Sequence, residues 1–167
     1  MAARGIFVTG TGTEVGKTVV AAVIAQTLAR EGQRVVVFKP AVTGLEEEGE
    51  TDHALLRRAS GSAQSDADIA PYRFDPPMSP HLAAALADEA IDPERLRAAA
   101  RDAAASADAI VCEGVGGLLV PLACRLTPAM REKVDTPYLV RDLAADLGYP
   151  LVVVAPPGLG TINHTLL

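Results

Sequence analysis

The residues with the clearest chemical purpose lie between Gly10 and Thr18, in the run Gly10-Thr11-Gly12-Thr13-Glu14-Val15-Gly16-Lys17-Thr18. It follows a short apolar stretch, Ile6-Phe7-Val8, and leads into Val19-Val20-Ala21-Ala22-Val23-Ile24-Ala25. Strand, glycine-rich turn and helix is the context a phosphate-binding loop requires. Consecutive backbone N–H groups in such a turn converge on anionic oxygens, and the helix beginning near Gly16 adds its positive end. Lys17 would reach the β- and γ-phosphates as a point charge, and the Thr18 hydroxyl would be a hard oxygen ligand for Mg²⁺. In the strict pattern the first glycine would fall at Thr11. Here it falls one position earlier, at Gly10, so the loop is a one-residue-longer variant.

Five further features can join this loop. Lys39 ends an apolar run, where it is either a surface lysine or a second cation facing phosphates or an anionic substrate. Asp52 precedes a short helical pattern and is either its cap or an acidic ligand. Glu113 ends an apolar run just before Gly114-Val115-Gly116-Gly117, which suits a carboxylate that holds Mg²⁺ beside a phosphate loop. Gly116 and Gly117 either let backbone approach a ligand or simply turn the chain. Thr161, after Gly160, starts a helix whose N–H groups would receive a carboxylate or be capped by the hydroxyl. His53, His81 and His164 have no ligand spacing and read as structural, and Arg57 and Arg58 read as a solvated helix face.

The elements that must position these groups alternate between strand and helix. Strands are expected at Gly5–Thr9, Arg34–Lys39, Asp108–Glu113 and Leu151–Val154. Their continuous apolar character suits a parallel sheet covered on both faces. Helices are expected at Lys17–Arg30, closed by Gly32; from Asp52 to Arg58, capped by Asp52; from Leu82 to Ala87, with Ser79 as N-cap and Pro80 as first helical residue; from Asp92-Pro93 to Ser106; from Pro137 to Leu147, stopped by Gly148; and from Thr161 onward. Residues 46–50 read as an acidic mobile loop, 61–69 as irregular, 71–80 as a proline-rich extended connection, and 123–135 carry no clear period. The pattern predicts an α/β fold of the three-layer P-loop NTPase type, with a mostly parallel sheet flanked by helices. Gly10–Thr18, Lys39, Glu113 and Pro156–Gly160 all follow strand C-termini, and in an open parallel sheet those ends share one ligand-binding edge.

Composition sets the bounds. The 167 residues are one domain's worth, and 49% apolar residues build one core, of Val, Leu, Ile and Ala because aromatics are only 4%. A net charge of −6 argues against nucleic acid or an anionic membrane as general partner. Cys112 and Cys124 share no metal-type spacing; Cys112 reads as a buried strand residue, and a disulfide between them does not suit a chain that reads as intracellular. Met1-Ala2-Ala3-Arg4 runs straight into the first strand without a signal peptide, and no segment approaches a membrane span, so the cytoplasm is the expected compartment.

With these residues in place, the chain resembles the dethiobiotin synthetase family. The resemblance rests on Val8 to Thr18, Lys39-Pro40 with Thr43-Gly44, Asp52, Ser79-Pro80-His81, Glu113-Gly114-Val115-Gly116-Gly117 and Gly160-Thr161-Ile162-Asn163-His164, in the family's order across nearly the whole chain. It implies ATP- and Mg²⁺-dependent carboxylation of 7,8-diaminopelargonic acid by CO₂ or bicarbonate, with ring closure through a carbamate and a carbamic–phosphoric anhydride. It implies catalytic roles for Thr13, Lys17 and Lys39. Nucleotide contacts would come from Glu14, Val15, Gly16, Lys17, Thr18 and Val19, and from Asp52 with Glu113, Gly114, Val115 and Gly116. Thr18, Asp52 and Glu113 would hold the metal. Thr43 and Gly116 would contact substrate, with Thr161, Ile162 and Asn163 receiving its carboxylate from the partner chain of a homodimer. The chain departs from the family pattern in two places: the resemblance implies strands and base-recognising residues beyond Leu167, so the chain reads as a C-terminally truncated single P-loop domain, and the link at Ala123–Asp135 reads as longer than the family's usual one.

Two other classes stay open at this point. Amide-forming synthetases of corrin rings usually carry a glutamine-hydrolysing domain with a nucleophilic cysteine, and neither cysteine here lies in a nucleophile-like turn. Partition-type switch ATPases place an additional lysine at the start of the loop, where this chain has Gly12.

Overall fold

The computed structural model describes residues 4–45, 49–124 and 136–166. Its centre is a four-stranded, fully parallel sheet in the order β2-β5-β1-β8, formed by β1 (Arg4–Gly10), β2 (Val35–Phe38), β5 (Ala109–Gly117) and β8 (Leu151–Val154). Two small pairs flank it: β3 (Val42–Thr43) with β4 (Arg73–Phe74), and β6 (Pro121–Ala123) with β7 (Tyr138–Leu139).

Strand residues alternate between two cores, as the two-residue period requires. Phe7, Val36, Phe38, Ile110 and Cys112 pack on one face beneath α4 (Pro80–Leu86), α5 (Pro93–Ala105) and α6 (Val140–Leu147). Val8, Val35, Val37, Ala109 and Val111 pack on the other beneath α1 (Lys17–Arg30), α2 (Asp52–Ser60) and α3 (Asp66–Ile69). The layers are those of the expected three-layer α/β fold. The same alternation carries Lys39 and Glu113, each two residues past a member of the second core, onto the face that holds α1 and α2.

Register then brings them together. Phe38 pairs with Cys112, so the next residues on the two strands, Lys39 and Glu113, are neighbours. A clasp at the opposite end helps to set that register. Arg34 donates to Asp108 from its backbone N–H at 2.9 Å and from its guanidinium at 3.1 and 2.9 Å, while the Asp108 N–H donates to the Arg34 carbonyl at 2.9 Å.

Several expectations need correction. Asp52 does not cap α2: Thr51 is the N-cap residue, and Asp52 is the first helical residue with its carboxylate turned toward Thr18 and Lys39. β5 does not stop at Glu113 but runs on to Gly117, because its backbone keeps pairing with β1 as far as Gly10–Gly117. The irregular 61–69 segment contains α3, started by a capping box in which Ser65 and Asp68 satisfy each other's backbone N–H groups. The helix expected from Pro137 begins at Val140, since Tyr138–Leu139 pairs with β6. Ser79 does precede α4 with Pro80 at its start, but makes no side-chain cap bond. Gly32, at φ 84°, lies one residue beyond the C-cap Glu31. Cys112 is a buried free thiol, as expected. The acidic-loop residues 46–48 and most of the 123–135 segment (125–135) lie outside the described residues.

The Arg34 clasp makes a pH prediction. The bonds from Arg34 hold the Asp108 carboxyl down at about 2, against an ordinary 3.8. A depressed carboxyl stabilises the fold fully above its unfolded value and loses that contribution as pH falls through the folded one. Asp108→Asn should therefore lower the thermal midpoint near neutral pH. The gap to the native protein should close between about pH 4 and pH 2, measured by circular dichroism melts across that range.

Candidate active site

The phosphate loop connects β1 to α1. Its first residue beyond the strand, Thr11, is tied to β8 by a 3.0 Å bond from its N–H to the Val154 carbonyl. Gly16, at φ 94°, takes a left-handed conformation that glycine adopts without steric cost, and it precedes the first residue of α1. Because the N-cap is a glycine, no capping side chain competes with an incoming anion for the first-turn N–H groups. Glu14 is also left-handed, at φ 57°, and such strain in a side-chain-bearing residue concentrates at functional sites.

Four side chains from four elements meet behind this loop. The Lys39 ammonium, 4% exposed, lies 2.6 Å from Asp52 Oδ2 and 2.8 Å from Glu113 Oε1. The Thr18 hydroxyl lies 3.0 Å from Asp52 Oδ1 and 2.9 Å from the same Glu113 Oε1. Lys17 Nζ donates to the Gly12 carbonyl at 2.6 Å. Burial, the largest influence, holds Lys17 below its ordinary range; Lys39 adds to the lowering, while Glu113 and Asp52 oppose it. Burial would lower Lys39 too, but the charges and bonds of Glu113 and Asp52 outweigh it, so Lys39 is raised. Asp52 is held below the usual carboxylate range: burial pushes it up, and Lys39 and the Thr18 bond pull it down further.

The oxygens of this cluster are under-satisfied. The Thr18 hydroxyl has one proton for two carboxylates. Glu113 is fully buried, and its Oε2 has no hydrogen-bond partner. Buried orphan oxygens of this kind call for a cation. Among the described residues no group of three or more His, Cys, Asp or Glu forms a metal cage. The donor set is two carboxylates and a hydroxyl, a sparse all-oxygen set that fits Mg²⁺, which keeps several waters and takes substrate phosphate oxygens.

The cluster lines a cavity of about 740 Å³. Thr13, Glu14, Gly16, Lys17, Thr18 and Val19 line it together with Lys39, Thr43, Asp52, Glu113, Val115 and Gly116. Most of the sequence-predicted residues are thus in one place. Val15 and Gly114 do not line the cavity: Gly114 sits against Phe7 and Val140, where an added Cβ would come within 3.1 and 3.0 Å of their side chains. Thr161, Ile162 and Asn163, at the start of α7 (Thr161–Leu166), also lie outside the lining of this cavity; Thr161 bonds the Pro156 carbonyl, and Ile162 is 77% exposed. His53 is buried beside Asp66 and Thr51, and His81 lines a different cavity with Cys124.

Sequence reasoning missed the cavity's apolar wall of Ala41, Leu55, Pro77, Met78 and Val120. Nothing in these residue types signals chemistry. Ser79 was visible as a helix start and within the Ser79-Pro80-His81 block of the family resemblance, but without a site role; the residue, whose side chain makes no cap bond, belongs to the lining.

Comparison with known proteins agrees with this geometry. Residues 4–167 match the family described as an AAA domain. The chain is 44% identical over 164 residues to the ATP-dependent dethiobiotin synthetase BioD of Anaeromyxobacter dehalogenans (strain 2CP-C), covering 98% of this chain and 68% of that protein. It is 37% identical over 165 residues to the protein of that name from Geobacillus sp. (strain WCH70), covering 98% and 64%, and 35% identical over 165 residues to that of Bacillus subtilis (strain 168), covering 98% and 66%. Sequence pattern, sheet and loop geometry and these relatives agree: the chain belongs to the ATP-dependent dethiobiotin synthetase family, on a P-loop NTPase-type fold.

Proposed function

We propose that the protein is an ATP-dependent cyclo-ligase that converts 7,8-diaminopelargonic acid, CO₂ and ATP into dethiobiotin, ADP and phosphate in biotin biosynthesis. The observation that carries this reading is the convergence of two buried ammonium groups, Lys17 and Lys39, with the Thr18, Asp52 and Glu113 oxygens on one cavity behind a phosphate loop. Mg²⁺ held by Thr18, Asp52 and Glu113 would supply charge neutralisation on the triphosphate when bound.

The reaction balances in three steps. One substrate amine attacks CO₂ and loses a proton, forming a carbamate. A carbamate oxygen then attacks the γ-phosphorus, the bond to the ADP oxygen breaks, and a carbamic–phosphoric anhydride forms. The second amine attacks the carbonyl, phosphate leaves with the C–O electron pair, and loss of a proton completes the ureido ring. Two anions, carbamate and γ-phosphate, must be held against their mutual repulsion in the second step. Lys17 and Lys39 serve that purpose as point charges in a partly water-excluded site. Thr13, Gly116 and the Thr43 hydroxyl line the same cavity and would position the reacting groups, while Glu14, Gly16, Val19 and Val115 would border the nucleotide. Val15 would contribute through the shape of the phosphate loop, and Gly114 by letting β5 pack closely against Phe7 and Val140.

Thr161, Ile162 and Asn163 belong to this reading only through a homodimer, in which α7 of the partner would receive the substrate carboxylate. Their position outside the lining of the cavity is compatible with that role. Among the described residues no helix is long and apolar enough to cross a membrane. A cytoplasmic homodimer that binds neither nucleic acid nor membrane completes the proposal.

Phosphate release from ATP should require both the diamine and bicarbonate. Release driven instead by DNA or a protein partner would replace this reading with that of a switch ATPase. Lys39→Ala should lower the turnover number by roughly a hundredfold or more while nucleotide affinity stays within about threefold, checked by product formation alongside calorimetric nucleotide titration. Glu113→Gln should raise the Mg²⁺ concentration giving half-maximal rate by about tenfold or more; an unchanged Mg²⁺ titration would remove Glu113 from the metal site.

A further inference from the structure

The Lys39 ammonium is bonded to the same two carboxylates that the proposed metal site uses. Its contacts, 2.6 Å to Asp52 and 2.8 Å to Glu113, are as short as charge-assisted hydrogen bonds become. Thr18, the third oxygen, touches the same two carboxylates at 3.0 and 2.9 Å. Glu113 offers Lys39 and Thr18 a single oxygen, Oε1, and its Oε2 stays unpartnered. One cation therefore already sits among these oxygens, and it is covalently part of the chain.

Charge makes two cations there mutually exclusive at close range. Lys17, Lys39, Asp52 and Glu113 sum to zero, so the cluster is neutral with Lys39 in place. A divalent ion on the same oxygens would stand a few ångströms from the Lys39 ammonium inside a poorly hydrated pocket, where like charges repel strongly. Lysine can move: its flexible four-carbon stem swings a point charge without rebuilding the backbone. Lys39 follows directly on β2 and is flanked by the cavity, with Thr43 and Ala41 also in the lining.

We infer that Lys39 is an exchangeable built-in cation: a divalent metal displaces its ammonium from Asp52 and Glu113, and the displaced ammonium turns into the cavity toward the anionic reactants. Metal entry and delivery of the second ammonium are then one event. A site loaded with metal presents Lys39 to the carbamate and γ-phosphate; a site without metal keeps it sequestered. This rests on the metal assignment of the proposed function, and its test needs neither the diamine nor bicarbonate.

The experiment titrates Mn²⁺, without nucleotide, into the native protein, Lys39→Met, Glu113→Gln and the double variant, reading free ion by electron paramagnetic resonance. Lys39→Met should bind Mn²⁺ at least about tenfold more tightly than the native protein, and adding Glu113→Gln should abolish the gain. Equal or weaker binding by Lys39→Met, with native binding still lost in Glu113→Gln, would overturn the exchange while leaving the metal site intact. Binding indifferent to Glu113 in both backgrounds would overturn the metal assignment itself. Should Lys39→Met fail to fold, the native protein carries the test: Mn²⁺ should raise acetylation of Lys39 by acetic anhydride severalfold, read by peptide mass spectrometry, and unchanged labelling at saturating Mn²⁺ would overturn the proposal.

Discussion

The buried contact between Lys39 and Glu113 is the constraint on which the rest of the site depends. Placing a carboxylate and an ammonium where water barely reaches costs several kcal/mol per ion before their attraction is counted. Here the cost is met by geometry. Parallel pairing of β2 and β5 sets Phe38 beside Cys112, so the next pair is lysine beside glutamate without any loop having to find its place. Sheet alternation puts both on the α1–α2 face, and the N-terminal ends of those helices deliver Thr18 and Asp52 to complete the cluster. A register slip by one residue would send Lys39 into the opposite core of apolar side chains. Strand pairing and site assembly are thus the same requirement.

That arrangement also explains why the phosphate loop can be slightly irregular. Its recognition function rests on backbone N–H groups and on the helix end, which one additional residue does not remove, provided Gly16 keeps its left-handed conformation. Its far side is fixed by Thr11 bonding across to β8. Lys17 stays on the loop's own Gly12 carbonyl, so the two ammoniums are held by different parts of the structure, one by the loop and one by the sheet.

Much of this was legible in the sequence because the site lies on regular elements. Apolar runs marked the four strands of the sheet, and the strand-loop-helix signature marked the phosphate site. The position of Gly10–Thr18, Lys39 and Glu113 just after strand C-termini pointed to one edge. What stayed hidden depends on tertiary context. Asp52 reads as a helix cap from local sequence, since an acidic residue at a helix start is favourable there in any case. Only the approach of Lys39 and Thr18 turns it elsewhere. In the sequence β5 ends at Glu113 because glycines usually break strands, yet pairing with β1 carries it through to Gly117. The apolar wall around Leu55, Met78 and Val120 carries no chemical signal and becomes visible only when separate segments fold against one cavity.

The central claim is that Lys39 and Glu113 stabilise the fold as a pair and each destabilises it when left alone. A double-mutant cycle in urea tests it most directly, using Lys39→Met, Glu113→Leu and their combination. Removing the lysine alone should cost about 3–5 kcal/mol, because a fully buried carboxylate loses its strongest partner, and the double variant should lose less than the sum of the two single changes by at least ~1–2 kcal/mol. Additive losses would mean that the two charges do not depend on one another, and the site would have to be assembled by some other constraint.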